Sequence, residues 1–246
     1  PKAIGQKEKI ALQQAIDYYN GLVEIDISEG NDTKKDPQRV KLLLRSYTRN
    51  CASQANLTTI KNDMLTNDSN KLDEDTIRAY INTLIRMFVV EESEAWNPNL
   101  RSKTAIRTSN TRYFVDPSIG CAALGIGPEG LIKDLKTFGL LFENLCIRDL
   151  RIYSDKLGGI VKHYRDANGL ECDAVITLPD GSWIAVEIKL GSSDGIEEGA
   201  SNLLKLKNNI AENFPKPLAL IVLTAGQVAY KREDGIFVIP LGCLKD

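Results

Sequence analysis

The sequence is poor in the residues that most metal and nucleophile chemistry uses. One histidine, His163, occurs in 246 residues, which excludes a His-rich zinc site and leaves a Ser-His-Asp triad without support. The five cysteines, Cys51, Cys121, Cys146, Cys172 and Cys243, are odd in number and widely spaced. They form no CxxC pair, so a zinc ribbon is excluded, and their spacing speaks against a disulfide scaffold. Long apolar runs are missing too. The strongest, around Leu218 to Val222, falls far short of the ~18 residues a membrane helix needs. No GxxxxGK[ST] phosphate loop occurs. The Gly-rich stretch Gly120 to Gly130 (GCAALGIGPEG) has no lysine after its glycines, so this chain is not expected to hydrolyse ATP. An excess of one charge is absent as well: 31 basic against 33 acidic residues give a net charge of −2. That excludes a generally polybasic nucleic-acid binder and leaves room for a local basic patch. With 43% hydrophobic and 26% charged residues the composition is that of a globular chain. No signal peptide opens it, so a cytoplasmic protein is expected, with no membrane partner.

What is present divides into two halves with different periodicity. The first reads as helices. Residues 6–20 carry Ile10, Ala11, Ile16 and Tyr19 at helical positions. Asp36 and Pro37 form an N-cap and first turn, followed by Val40, Leu43, Leu44 and Tyr47. A short helix is expected at about 56–65. Another starts at Asp73-Glu74-Asp75, acids that suit a helix N-terminus. Phe88-Val89-Val90 and Tyr113-Phe114-Val115 read as two strands, and residues 120–130 as a joint between the halves. Three helices and a two-strand excursion are the plan of a winged helix. Between Trp96 and Val115 stand Arg101, Lys103, Arg107 and Arg112 and no acid. Two readings stand: a basic wing that meets a DNA backbone, or a solvated hairpin loop. The acids at the start of the third helix count against DNA recognition by that helix.

The second half mixes helices and strands, and its informative stretch is Leu170 to Lys189, LECDAVITLPDGSWIAVEIK. Two alternating runs flank Pro179-Asp180-Gly181, so a hairpin is expected. A three-residue loop pairs Leu178 with Ser182 and brings the apolar sets of both strands to one side. A two-residue loop would separate them, so burial favours the longer loop. That register sets Asp173 opposite Glu187, with Lys189 on the same face. Facing carboxylates repel and call for compensation, by a divalent cation such as magnesium and partly by Lys189. A third carboxylate is a candidate. Glu143 lies in a helix expected over 135–150, with Gly139, Leu140, Cys146 and Ile147 as its helical neighbours, so it points with the apolar face. Strands are expected at 159–165, 218–224 and 236–240, and a helix at 196–213. His163 is read as a strand-surface residue. Trp96 and Trp183 could stack on bases or be partly buried.

This order, with Glu143, Asp173 and Glu187-Ile188-Lys189, resembles the PD-(D/E)xK nuclease-like superfamily. At closer range the runs Tyr113-Phe114-Val115-Asp116-Pro117, GLLFEN from Gly139 to Asn144, Tyr164-Arg165-Asp166, Glu171-Cys172-Asp173 and Asp234-Gly235-Ile236 are similar to the DUF4143 domain of AAA-type ATPases, over about residues 25–246. The resemblance implies an α/β fold: a tail of the ATPase module at 1–28, an all-helical winged-helix-like domain at 29–118, and a restriction-endonuclease-like α/β domain with an αβββαβ core at 119–246. It implies Glu143, Asp173, Glu187 and Lys189 as catalytic residues, with Asp173, Glu187 and Glu143 holding Mg²⁺ or Mn²⁺. Arg165, Arg101, Lys103 and Arg107 become candidate substrate contacts, although a surface ion pair suits Arg165 equally. The implied partners are an ATPase module absent from this chain and DNA, in an oligomer or as a monomer. The rival expectation is a catalytically silent interaction module on the same fold.

Overall fold

The computed structural model describes residues 7–26, 36–65, 72–99, 109–210 and 214–245. The chain is mixed α/β and divides into two compact units. One comprises Pro1–Glu92 with Arg112–Asn144, and the other Ser93–Thr111 with Leu145–Asp246. No helix among the described residues is long and apolar enough to cross a membrane.

The first unit is built on capped helices. Helix α1 (Glu8–Gly21) runs into a short π-helical turn at Leu22–Asp26. In α2 (Pro37–Arg49) the Asp36 carboxylate accepts the Gln38 N–H at 2.9 Å, and Pro37 occupies the first turn, where no N–H is needed. Val40, Leu43, Leu44 and Tyr47 form its buried face. After α3 (Leu57–Leu65), Asp73 caps α4 (Glu74–Arg86) through the Thr76 N–H at 2.6 Å. The first strand does not begin at Phe88, as expected from its apolar run. Phe88 has φ 54° and is 78% exposed, because the N–H groups of Phe88 and Val89 turn back onto the Ile85 and Leu84 carbonyls to close α4. Strand β1 is therefore Val90–Ser93, and it pairs with β2 (Thr111–Phe114).

The expected joint at 120–130 is helical instead. Asp116-Pro117 repeats the Asp36-Pro37 device and starts α5 (Pro117–Leu124), which ends at left-handed Gly125. Helix α6 (Pro128–Lys133) follows. Gly120 sits at a close contact: a Cβ there would lie 3.0 Å from Thr48, 3.1 Å from Leu141 and 3.3 Å from Phe114. The glycines that suggested a joint thus serve as a cap and a close contact. Helix α7 (Leu135–Asp155) is longer than expected, and the division between the units falls within it. Arg101, Lys103 and Arg107 lie outside the described residues.

The second unit contains a six-stranded sheet ordered β3-β4-β5-β6-β8-β7. Strands β3 (Ile160–Arg165), β4 (Glu171–Thr177) and β5 (Trp183–Lys189) form an antiparallel meander. Helix α8 (Ser193–Asn209) returns the chain to β6 (Ala219–Thr224), parallel to β5. Strand β8 (Phe237–Pro240) is parallel to β6, with β7 (Tyr230–Lys231) at the edge. A core of Val175, Trp183, Ala185, Ala200, Leu203, Leu206, Val222 and Val238 packs α8 on the sheet. Both tryptophans belong to it. Their rings lie 4.8 Å apart, and Trp183 donates to the Pro215 carbonyl at 2.7 Å, so neither offers a face to a base. His163 is buried as well, not on the strand surface: it is 4% exposed, its Nδ1 lies 3.0 Å from the Ser93 carbonyl, and its backbone bonds to Glu94 and Trp96. The segment around Ala95 covers that strand edge, which a periodicity argument within β3 could not reveal.

Candidate active site

The β4–β5 hairpin has the expected register. Thr177 pairs with Trp183, Ile176 with Ile184, Val175 with Ala185 and Ala174 with Val186. The Leu178 N–H bonds to the Ser182 carbonyl at 2.9 Å, and Gly181 takes φ 84° to close the three-residue loop. The reason given for that register was incomplete, since both faces of the hairpin are buried: Val175, Ala185 and Trp183 on one, Ala174 and Val186 on the other.

At Asp173 the ladder is broken on both sides. Lys162 to Tyr164 on β3 spans Val175 to Cys172 on β4, so β4 carries one extra residue across from His163. This bulge reverses the side-chain alternation, and Cys172 joins Val175 in the same core although they are three residues apart. Toward β5, the Asp173 carboxylate replaces a backbone partner: its Oδ2 accepts the Ile188 N–H at 2.7 Å. The bulge thus re-aims Asp173 at the end of β5, where Glu187 and Lys189 stand.

Glu187 is 2% exposed. Lys189 Nζ lies 3.5 Å from Glu187 Oε2 and 3.7 Å from Glu198 Oε2, the latter on α8. Gly199 lets α8 cover these side chains, because a Cβ there would meet Glu187 Cβ at 3.3 Å and Lys189 Cε and Cγ at 3.5 Å. The loop into α8 is closed by Ser192, whose hydroxyl accepts the Gly195 N–H at 3.2 Å. Ser192 is therefore a helix cap. Thr224 of β6 pairs with Lys189, so the acids sit toward the carboxyl ends of parallel strands.

The electrostatics are unbalanced. Burial raises the Asp173 pKa to about 6, against the Ile188 N–H and Lys189, which lower it. Burial and the neighbouring Asp173 charge raise Glu187 to about 9. Desolvation opposes the charge on Lys189, yet Glu187, Asp173 and Glu198 outweigh it and raise its pKa. One lysine does not neutralise both acids, so the pair retains a proton at neutral pH. Cys172, buried beside them, is held as a thiol by desolvation and by the same two carboxylates.

Of the residues expected from sequence, Asp173, Glu187 and Lys189 are brought together in the second unit. Glu143 belongs to the first unit, where its Oε1 accepts from the Tyr113 hydroxyl at 2.9 Å. Arg165 forms an ion pair with Glu171 at 2.7 Å, the alternative that its sequence left open. Among the described residues, no group of three or more His, Cys, Asp or Glu side chains is arranged to hold a metal. The pair itself offers two buried carboxylates, the number magnesium commonly takes from protein alongside water, but at neutral pH a cation there would have to displace the proton the pair retains. Glu198 and Gly199 were missed by the sequence reading. The GxxxG spacing of Gly195 and Gly199 after the ExK was the available signal.

The DUF8612 family model, described as a domain of unknown function, matches residues 1–130, more than half of the chain. That of DUF4143, also a domain of unknown function, matches residues 138–244. The resemblance read over 25–246 thus holds for the second part, and a different family covers the first. None of the curated proteins matches. A solved structure, the refined half-complex from the tetradecameric assembly of Thermococcus gammatolerans McrB AAA+ hexamers with bound McrC, contains a chain similar at 9% identity. The alignment covers 96% of this chain and 90% of that one, with a TM-score of 0.28, too low to support an argument about fold or function.

Proposed function

The chain belongs to the DUF8612 family, and we propose that its second unit, where the DUF4143 model matches, carries a metal-dependent phosphodiesterase site of the PD-(D/E)xK kind, acting on nucleic acid. The observation that carries this reading is the burial of Asp173 and Glu187 beside a single lysine. Two acids desolvated together, with one cation to match, are costly to keep for packing alone. Mg²⁺ or Mn²⁺ would be held by Asp173 and Glu187. When bound, the metal supplies a water of lowered pKa and charge neutralisation at the scissile phosphate.

The chain's own residues have separate parts. Asp173 and Glu187 give up the proton they hold at neutral pH when a cation takes its place. Lys189, kept protonated by the acids around it, donates to the attacked phosphate or to the water that attacks it. The Ile188 N–H fixes the Asp173 carboxylate, so the ligand is oriented before any cation arrives. Arg165 is exposed beside Glu171 and would exchange that partner for a phosphate oxygen. Arg101, Lys103 and Arg107 remain proposed DNA contacts of a winged-helix-like first half. The resemblance to AAA-type ATPases makes such a module the proposed partner. Glu143 is not needed for this reading.

The test is metal-dependent cleavage of DNA and RNA by the chain and by Asp173→Ala, Glu187→Ala and Lys189→Ala. Each variant is expected to keep the far-UV spectrum and lose at least about a hundredfold in rate. Cleavage that survives all three substitutions overturns the assignment. A second reading, a silent interaction module, is favoured by the near-complete burial of Glu187, which is compatible with a permanently protonated packing role. It predicts no metal binding.

A further inference from the structure

The second unit carries a groove of about 350 Å³, polar and apolar in equal parts, between the β3–β4 turn and the flank of α8. Asp166, Asn168, Gly169 and the apolar Leu170 line it from the turn, and Asn202, Lys205 and Asn209 from the helix. The turn is self-contained. The Asp166 carboxylate accepts the Asn168 N–H at 2.8 Å and the Leu170 N–H at 2.9 Å, and Gly169 takes φ 85°. The one acid in the groove is therefore occupied by its own loop. Among the described residues, no side-chain hydrogen bond or ion pair engages Asn168, Asn202, Lys205 or Asn209.

These side chains are aligned with the candidate active site. Glu198, Asn202, Lys205 and Asn209 are spaced by four, three and four residues, which puts them on one face of α8. Glu198 at one end touches Lys189 at 3.7 Å. From Glu198 to Lys205 the helix rises ~10 Å, the axial length of about three nucleotides of one strand. The three carboxamides and one ammonium offer hydrogen-bond donors. No aromatic ring lines the groove, so it provides no stacking platform. Donors of this kind match phosphate and sugar oxygens.

We infer that the groove binds the sugar–phosphate backbone of a nucleic-acid strand a few nucleotides from the bond cut at Asp173 and Glu187. This rests on the hydrolytic reading for its position, while the binding itself does not depend on chemistry. The test is fluorescence anisotropy at low salt and without divalent metal, using short labelled single-stranded DNA, duplex DNA and single-stranded RNA in separate arms. The variants are Asn202→Ala with Lys205→Ala, Lys205→Ala alone and Lys205→Arg.

The double variant is expected to weaken binding about tenfold in whichever arm binds, and Lys205→Arg to retain it. Lys205→Ala should reduce the salt slope by about 0.7 for a single strand. Groove-dependent binding by a chain that cleaves nothing sinks the hydrolytic reading and supports the groove. Binding that the double variant leaves unchanged, or no binding in any arm, overturns the groove. Circular dichroism of the double variant excludes misfolding as the cause of a loss.

Discussion

The two units each bury a polar side chain deep in apolar surroundings, and they treat it in opposite ways. In the first, Asn144 is fully buried and fully engaged. Its Oδ1 accepts from the Phe114 N–H at 2.8 Å and from Cys51 Sγ at 3.1 Å, and its Nδ2 donates to the Phe114 carbonyl at 2.7 Å. The amide thus acts as a strand partner for β2. Cys51 is kept a thiol, its pKa pushed up to about 12 by burial and by Glu143. In the second unit, Asp173 and Glu187 are buried around one lysine, and burial makes the pair keep a proton at neutral pH. A neutral, satisfied group holds a structure together. An acid pair that holds a proton because it is desolvated is a group whose proton the proposed cation would replace.

The largest effect that sharpens this contrast is expected at Asn144. Asn144→Ala leaves the Phe114 N–H and carbonyl buried without partners and opens a cavity, a loss of about 3–5 kcal/mol in urea unfolding. Asp173→Asn, by contrast, removes a buried charge and should change stability by less than about 1 kcal/mol, or raise it. Equal losses at the two positions would break the comparison.

A pH series is the next test. Asp173 and Glu187 hold their protons in the folded chain at pH values where the unfolded chain has released them. Unfolding then releases protons, and stability falls as pH rises from about 4 through about 9. Glu187→Gln should flatten that slope between pH 6 and about 9, as read by thermal unfolding across the series. A slope unchanged by the substitution would place the titration elsewhere. The smallest effect is expected at Ser192, where loss of the cap in Ser192→Ala costs about 1 kcal/mol without altering the pH series.

Much of this was legible because it depends on local rules. The caps at Asp36-Pro37 and Asp73 follow from orphan N–H groups at helix starts, and the 178–182 register follows from turn chemistry. Element order in the second half was legible from periodicity, apart from the two-residue edge strand β7. What escaped depends on partners distant in sequence or on broken alternation. Gly120 and Gly125 read as a joint because a close contact with Thr48, Leu141 and Phe114 is invisible from 120–130 alone. His163 read as exposed because the segment at Glu94–Trp96 covers its strand edge. For Glu143, a candidate third ligand from its helical neighbours, the pattern did not show the Tyr113 hydroxyl of β2 that bonds to it. The β4 bulge at Asp173 has no signature in an otherwise regular strand, although it is what turns that carboxylate toward Ile188.

The central claim is that the buried pair holds a divalent cation. Calorimetric titration of Mn²⁺ into the chain at pH 8, beside Asp173→Asn, tests it most directly. The account predicts stoichiometric binding with proton release, lost in the variant. No binding at millimolar metal, or binding that Asp173→Asn leaves intact, would contradict it.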